Sequence, residues 1–123
     1  MLNVLVVDDS MMMRRKIKKY LTSLGHNIIG EAQDGEQAIA FCRENEPNLV
    51  TMDISMPGMN GIEVVKELQN INVDLTIIMI TAYGQNNLVK EALISGAKGF
   101  ILKPVSEKKL HDSIKKIYPI YSN

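Results

Sequence analysis

Five short apolar runs punctuate this chain, and a stretch with helical periodicity follows each one. The runs are NVLVV (3–7), NIIGEA (27–32), NLVTM (48–52), TIIMI (76–80) and GFIL (99–102). Several are nearly continuous in Val, Ile and Leu. That is the pattern of parallel strands covered on both faces, not of antiparallel strands with one wet face. Parallel neighbours need a crossover connection, and a helix supplies it.

The intervening segments carry helix signals. Ser10 is a good N-cap for a first helix that aligns Met13, Ile17, Leu21 and Leu24 before Gly25 ends it. Asp34, with Gln37 three residues on, opens a second helix that stops before Pro47. Asn60 precedes a third that buries Ile62, Val65 and Leu68. A fourth carries Val89, Ala92 and Leu93 inward and closes at Gly96, and a fifth follows Ser106 with Leu110, Ile114 and Ile117. Five βα units predict an α/β fold, a single domain over residues 1–123 with no attached output module. Right-handed crossovers leave few strand orders. The common five-strand solution is the flavodoxin-like (βα)5 sheet, doubly wound and parallel, in the order 2-1-3-4-5. Its ligands sit at the carboxyl ends of the strands, between strands 1 and 3, where the order reverses.

That edge collects chemistry. Strand 1 runs into Asp8 and Asp9, strand 3 into Asp53, strand 4 into Thr81, and strand 5 into Lys103 and Pro104. Three carboxylates in one crevice repel, by about 4 kcal/mol per pair at ~4 Å and an effective dielectric near 20. Raised pKa values or a bound cation would relieve this. Oxygen ligands, few in number and beside open solvent, suit Mg²⁺, which keeps waters and binds phosphate oxygens. With an ammonium from Lys103 and a hydroxyl from Thr81, the set has what in-line attack on phosphorus requires, with Asp53 as nucleophile. Each acid taken singly also reads as a turn or cap residue. The joint placement, at least one group per strand end on four strands, argues for the site.

VLVVDDS, LVTMDISMPGMNGIEVV, IIMITA and GAKGFILKPV together resemble the receiver domain of two-component response regulators, and the likeness covers essentially the whole chain. Within that family the stretch around Asp53 and SGAKGFILKPV are most similar to stand-alone chemotaxis regulators of the CheY type. The resemblance implies that Asp53 accepts a phosphoryl group from a histidine kinase. It implies Mg²⁺ held directly by Asp9, Asp53 and the backbone carbonyl of Ser55, with Asp8 acting through water. Lys103 would pair with Asp53 and then with the phosphoryl group, Thr81 would be the switch hydroxyl and Phe100 the switch aromatic, and a cis bond would precede Pro104. The face made by the fourth helix, fifth strand and fifth helix would then be read by a target protein such as a flagellar motor switch, with a phosphatase as a further partner. The implied protein is a monomer that signals and is no metabolic enzyme; it catalyses only its own phosphorylation and hydrolysis.

Phe100 lacks the hydroxyl of the Tyr common in relatives, and Val105 replaces a frequent Phe. Tyr83 is bulky beside the site and is expected to hinder hydrolytic water. Met11 and Met12 fall off the core stripe, either as rim packing or as an adaptable contact for a kinase or phosphatase. Leu88 and Ile94 also fall off the stripe of their helix.

Composition removes other classes. Lys plus Arg and Asp plus Glu number 14 each, so no net field draws nucleic acid or a membrane. Arg14, Arg15, Lys16, Lys18 and Lys19 read as a solvated helix face, because no aromatic residues interleave for stacking on bases. The one cysteine, Cys42, reads as a small core residue. His26 and His111 show no ligand spacing and read as surface residues, and the tail YPIYSN (118–123) is expected to fray. With no membrane-length apolar run and no signal peptide, the expected location is the cytoplasm. Two rivals share parts of the pattern. A small Mg²⁺ phosphohydrolase would want an Asp-x-Asp on strand 1 and a cap insertion. A flavin carrier would want a Gly- and hydroxyl-rich loop where DDSMMM stands. A relay receiver inside the same family is the third alternative.

Overall fold

The structure, a computed structural model, describes residues 1–56, 60–82 and 84–121. Strands β1 (Asn3–Val7), β2 (Asn27–Ala32), β3 (Leu49–Asp53), β4 (Thr76–Thr81) and β5 (Gly99–Leu102) alternate with helices α1 (Met11–Ser23), α2 (Gly35–Glu44), α3 (Gly61–Ile71), α4 (Asn86–Ser95) and α5 (Glu107–Ile117). All strand pairs are parallel and the order is β2-β1-β3-β4-β5, as the sequence pattern implies. The order reverses beside β1, because its chain neighbour β2 lies on one flank and β3 on the other.

Alternation within the strands builds two cores. Val4, Val6, Leu49, Ile78, Ile80 and Ile101 face α1 and α5, where Ile17, Leu21, Leu110 and Ile114 meet them. Leu5, Val7, Val50, Met52, Ile77 and Met79 face α2, α3 and α4. Central strands β3 and β4 are buried at every position, which is why their sequences show no polar alternation. Cys42 lies in the second core, and burial pushes its thiol up to about 11. Gly30 leaves room for the Phe41 ring: a Cβ there would stand 2.5 Å from it and force the ring to shift. The predicted N-caps hold. Ser10, Asp34, Asn60 and Ser106 each accept from a backbone N–H in the first turn of their helix. Gly96 closes α4 at φ +132°, a conformation that disfavours any side chain. Among the described residues no helix is long and apolar enough to cross a membrane.

Leu93, His26 and the tail depart from expectation. Leu93 is 39% exposed, because α4 buries only Val89 and Ala92 and the short edge strand β5 leaves its flank open. His26 is buried, not superficial. Its Nδ1 accepts from the Leu2 N–H at 3.1 Å, and its ring meets Tyr121 edge-on. The tail up to Tyr121 does not fray. It forms a 3-10 turn, Pro119–Tyr121, that docks across the amino ends of the strands. There the Tyr118 hydroxyl donates to Thr76 Oγ1 at 2.7 Å, and the Met1 ammonium donates to the Tyr121 hydroxyl at 2.8 Å. Two amphipathic tyrosines give this segment both an apolar body to bury and a polar tip to bond.

Candidate functional site

Asp8 leaves β1 with its backbone fixed: its N–H donates to the Ala32 carbonyl at 3.0 Å, as one more rung of the β1–β2 ladder. Its Oδ1 accepts the Ser10 N–H at 2.9 Å, which turns the chain into α1. Its Oδ2 is buried and has no hydrogen-bond partner among the described residues. Asp53, at the end of β3, is also buried. Its Oδ1 accepts from the Ser55 N–H at 3.0 Å and its Oδ2 from Lys103 Nζ at 3.1 Å. Asp9 is exposed on the solvent side. One carboxylate oxygen from each of Asp8, Asp9 and Asp53 lies within 4.8 Å of the others. The fold therefore gathers the three acids and Lys103 as the sequence reading expects, and the Lys103–Pro104 bond is cis.

The electrostatics of the trio are unbalanced. Burial raises the Asp8 pKa above its ordinary value, and the charges on Asp53 and Asp9 push the same way. The Ser10 N–H and Lys103 oppose them. A single ammonium cannot offset three mutually close carboxylates, whose pairwise cost is about 4 kcal/mol at an effective dielectric near 20. The donor set fits a small divalent cation: hard carboxylate oxygens, one of them buried and unpartnered, with Asp9 open to water. Ser55 stands at the rim two residues past Asp53, and its hydroxyl accepts from Gln85 Nε2.

Thr81 ends β4 and is buried. Its hydroxyl has two acceptors in reach, Gln85 Oε1 at 2.9 Å and the Ala82 carbonyl at 3.2 Å. Gln85, the residue before α4, thus links the Thr81 hydroxyl to Ser55 across the crevice. The sequence offered no signal for it, since a lone Gln at a loop–helix junction carries no recognisable chemistry. Phe100 is half exposed on β5. A largely apolar groove of about 480 Å³ runs between it and Thr81, walled by Val89, Leu93 and Leu102. A second groove, of about 420 Å³, lies on the other flank of Phe100 between β5 and α5, edged by Lys109 and Lys116. Met11 and Met12 are 60% and 70% exposed, directly after the acid pair. Leu88 and Ile94 are exposed, as their spacing suggests. Tyr83 lies outside the described residues.

Arg14 corrects the reading of α1 as a solvated basic face, because its side chain is only 8% exposed. It falls on the Ile17–Leu21 stripe and reaches Asp8 and Glu31, whereas Arg15, Lys16 and Lys19 are exposed.

A family model described as the response regulator receiver domain matches residues 4–115. Chemotaxis protein CheY of Thermotoga maritima is 41% identical over 114 residues, covering 93% of this chain and 95% of that protein. Protein CcdB of Bacillus subtilis is 43% identical over 117 residues, covering 95% and 98%. Among solved structures, the CheX–CheY–BeF3–Mg complex from Borrelia burgdorferi matches with a TM-score of 0.88 at 38% identity, over 94% of this chain and 88% of that one.

Proposed function

This chain belongs to the response regulator receiver family, the CheY-like signalling modules of two-component systems, and from that premise we propose that Asp53 is its phosphoryl acceptor. The observation that carries the reading is the Asp53 carboxylate itself. It is buried, tethered to Lys103, and set within an acidic trio whose Asp8 oxygen has no partner. A structural turn has no use for that arrangement. The resemblance to a CheY solved with BeF3 and Mg supports the same chemistry here.

Asp8, Asp9, Asp53 and the Ser55 carbonyl would hold Mg²⁺, Asp8 through water. When bound, the ion withdraws charge from phosphoryl oxygens. In the transfer itself, an Asp53 carboxylate oxygen attacks phosphorus in line, forming the O–P bond of an acyl phosphate. The N–P bond to the kinase histidine breaks, and the histidine keeps the electron pair. Lys103, already 3.1 Å from Asp53, moves onto the phosphoryl group as a point charge. The same pocket, admitting water, reverses the modification by hydrolysis; the reading is a signalling protein that processes only itself.

Output follows from the geometry at Thr81. Its hydroxyl leaves Gln85 and donates to a phosphoryl oxygen, and Phe100 turns into the groove beside Thr81. Burying the exposed half of a Phe is worth about 1 kcal/mol. Moving a population from 1:99 to 99:1 takes about 5.5 kcal/mol of preference for the favoured state. The charge-assisted contacts of Thr81 and Lys103 to the phosphoryl group must therefore supply most of the bias. The changed surface is the α4–β5–α5 face, where Leu93, Phe100 and the two grooves meet a target protein. Likeness to CheY supports a role in chemotaxis, with a motor-switch component as target. Protein CcdB, of similar identity, is not named for chemotaxis, and a relay receiver of the same family is kept as the second reading.

Transfer from a phosphorylated histidine kinase tests the proposal. Wild type is expected to take label and Asp53→Asn none, and equal labelling of the two would overturn it. Binding of the labelled form to motor-switch and relay proteins then separates the two roles.

A further inference from the structure

The acid pair sits on a peptide plane that something must hold. Asp8 and Asp9 share one amide, and the orientation of that amide sets where both carboxylates point. Its carbonyl, Asp8 O, accepts from Arg14 Nη1 at 2.7 Å, a buried contact. The same guanidinium donates through Nε to Glu31 Oε1 at 2.8 Å. Glu31 pairs with Val6 in the β1–β2 register, so its side chain shares the α1 side of the sheet. Lys18, one turn beyond Arg14, donates to the other Glu31 oxygen at 2.5 Å. The Lys18 and Arg14 hydrogen bonds hold Glu31 below its ordinary pKa, so it is the charged partner that a buried guanidinium needs. Asp8 is thus tied at its N–H by Ala32, at its Oδ1 by Ser10 and at its carbonyl by Arg14. Only Oδ2 is left for the crevice.

We infer that Arg14 is a positioning residue for the divalent-cation site: braced on Glu31, it fixes the Asp8–Asp9 peptide plane so that both carboxylates converge with that of Asp53. This rests on the metal reading of the crevice given above. A planar fork suits the task, since its Nε and Nη1 face two acceptors in a fixed geometry; a lysine offers a point charge on a flexible stem. Groups that orient metal ligands are worth about 10- to 100-fold in affinity.

The sign of the effect separates positioning from simple electrostatics. Arg14 is a cation near a cation site, so its charge alone weakens Mg²⁺ binding. Removing the charge should then tighten binding if electrostatics is its whole role, and loosen binding if it holds the ligands. Mg²⁺ titrations followed by amide chemical shifts, on wild type, Arg14→Gln, Arg14→Lys, Glu31→Gln and Lys18→Ala, with thermal melts of each, decide the matter. Arg14→Gln is expected to bind Mg²⁺ about 10-fold or more weakly. Arg14→Lys should recover only part of the loss, Glu31→Gln should lose less than Arg14→Gln, and Lys18→Ala should stay within about twofold, because Lys18 does not touch the acid pair. If Arg14→Gln does not fold, Arg14→Lys carries the test, because it keeps the charge and removes only the fork that spans Asp8 O and Glu31. Unchanged or tighter Mg²⁺ binding in the folded Arg14 and Glu31 variants overturns the inference while leaving the metal site intact. Failure of wild type to bind Mg²⁺ overturns the metal reading, and this inference with it.

Discussion

The two edges of the sheet are built on opposite plans. At the amino edge, polar groups satisfy one another with neutral or singly charged partners. Leu2 N–H bonds His26, Asn3 N–H bonds Asn48, Asn27 bonds Asn3, Tyr118 bonds Thr76, and the Met1 ammonium bonds Tyr121. At the carboxyl edge three carboxylates crowd one ammonium, and a buried Asp8 oxygen has no partner among the described residues. The same strands run through both edges, so the difference is not one of secondary structure. It lies in what each edge is complete without. The amino edge is finished by the chain itself and holds the ends of the strands together. The carboxyl edge is left short of positive charge, a shortage that a bound cation would relieve.

The sharpest way to break this comparison is to neutralise one acid and cut one tie. Asp8→Asn should stabilise the metal-free protein by about 1–3 kcal/mol, the scale of an unsatisfied buried polar group. It should also remove most of the stabilisation by Mg²⁺. Wild type should gain about 1.4 kcal/mol for each tenfold rise in Mg²⁺ above its Kd. Melting curves with and without the ion read both effects. A metal-free Asp8→Asn less stable than wild type would mean that the carboxyl edge is not under strain. Tyr118→Phe should do the reverse at the amino edge. It loses the bond to Thr76 and about 1 kcal/mol, with the Mg²⁺ increment unchanged.

Acid sharpens the contrast further. Burial, the nearby Met1 ammonium and His111 hold His26 below its ordinary value of 6.5. The unfolded chain takes up that proton first. Stability should therefore be flat above pH ~6.5 and fall below it, levelling once the folded His26 titrates in its turn. Asp8 acts with the opposite sign. Its raised pKa makes the ionised form unfavourable in the fold, so its penalty is relieved as pH falls through the folded value. Glu31, held low, stabilises the fold above its ordinary 4.5, and that contribution is lost as pH falls through the folded value. Melts of wild type and His26→Gln between pH 8 and pH 5 should diverge in slope only below about pH 6.5. The smallest effect expected is at Cys42. With its thiol pushed up to about 11 in the core, it should react with thiol reagents at pH 8 far more slowly than a free cysteine, unless the protein is unfolded.

The sequence was legible where one residue type serves one face. Near-continuous Val-Ile-Leu runs mark β3 and β4 because both sides are covered, and the acid pair after strand 1 and the single acid ending strand 3 stand out against them. What stayed hidden depends on pairings between distant elements. Arg14 sat in a run of basic residues, and only its step of three to Ile17 and seven to Leu21 set it apart. His26 and the half-buried tail tyrosines pack against one another, so neither shows a spacing of its own. Gln85 acts through two neighbours that the chain brings to it only when folded. Leu93 follows the inward stripe of α4, yet the sheet ends before it can cover that side chain.

The most direct measurement is the chemistry of Asp53. Wild type and Asp53→Asn are incubated with acetyl phosphate, with Mg²⁺ or with a chelator, and the products are trapped by borohydride and mapped by mass spectrometry. The account predicts one reducible acyl phosphate, on Asp53, formed only with the ion present and absent from Asp53→Asn. Modification that ignores the ion, or that maps to another residue, would contradict it.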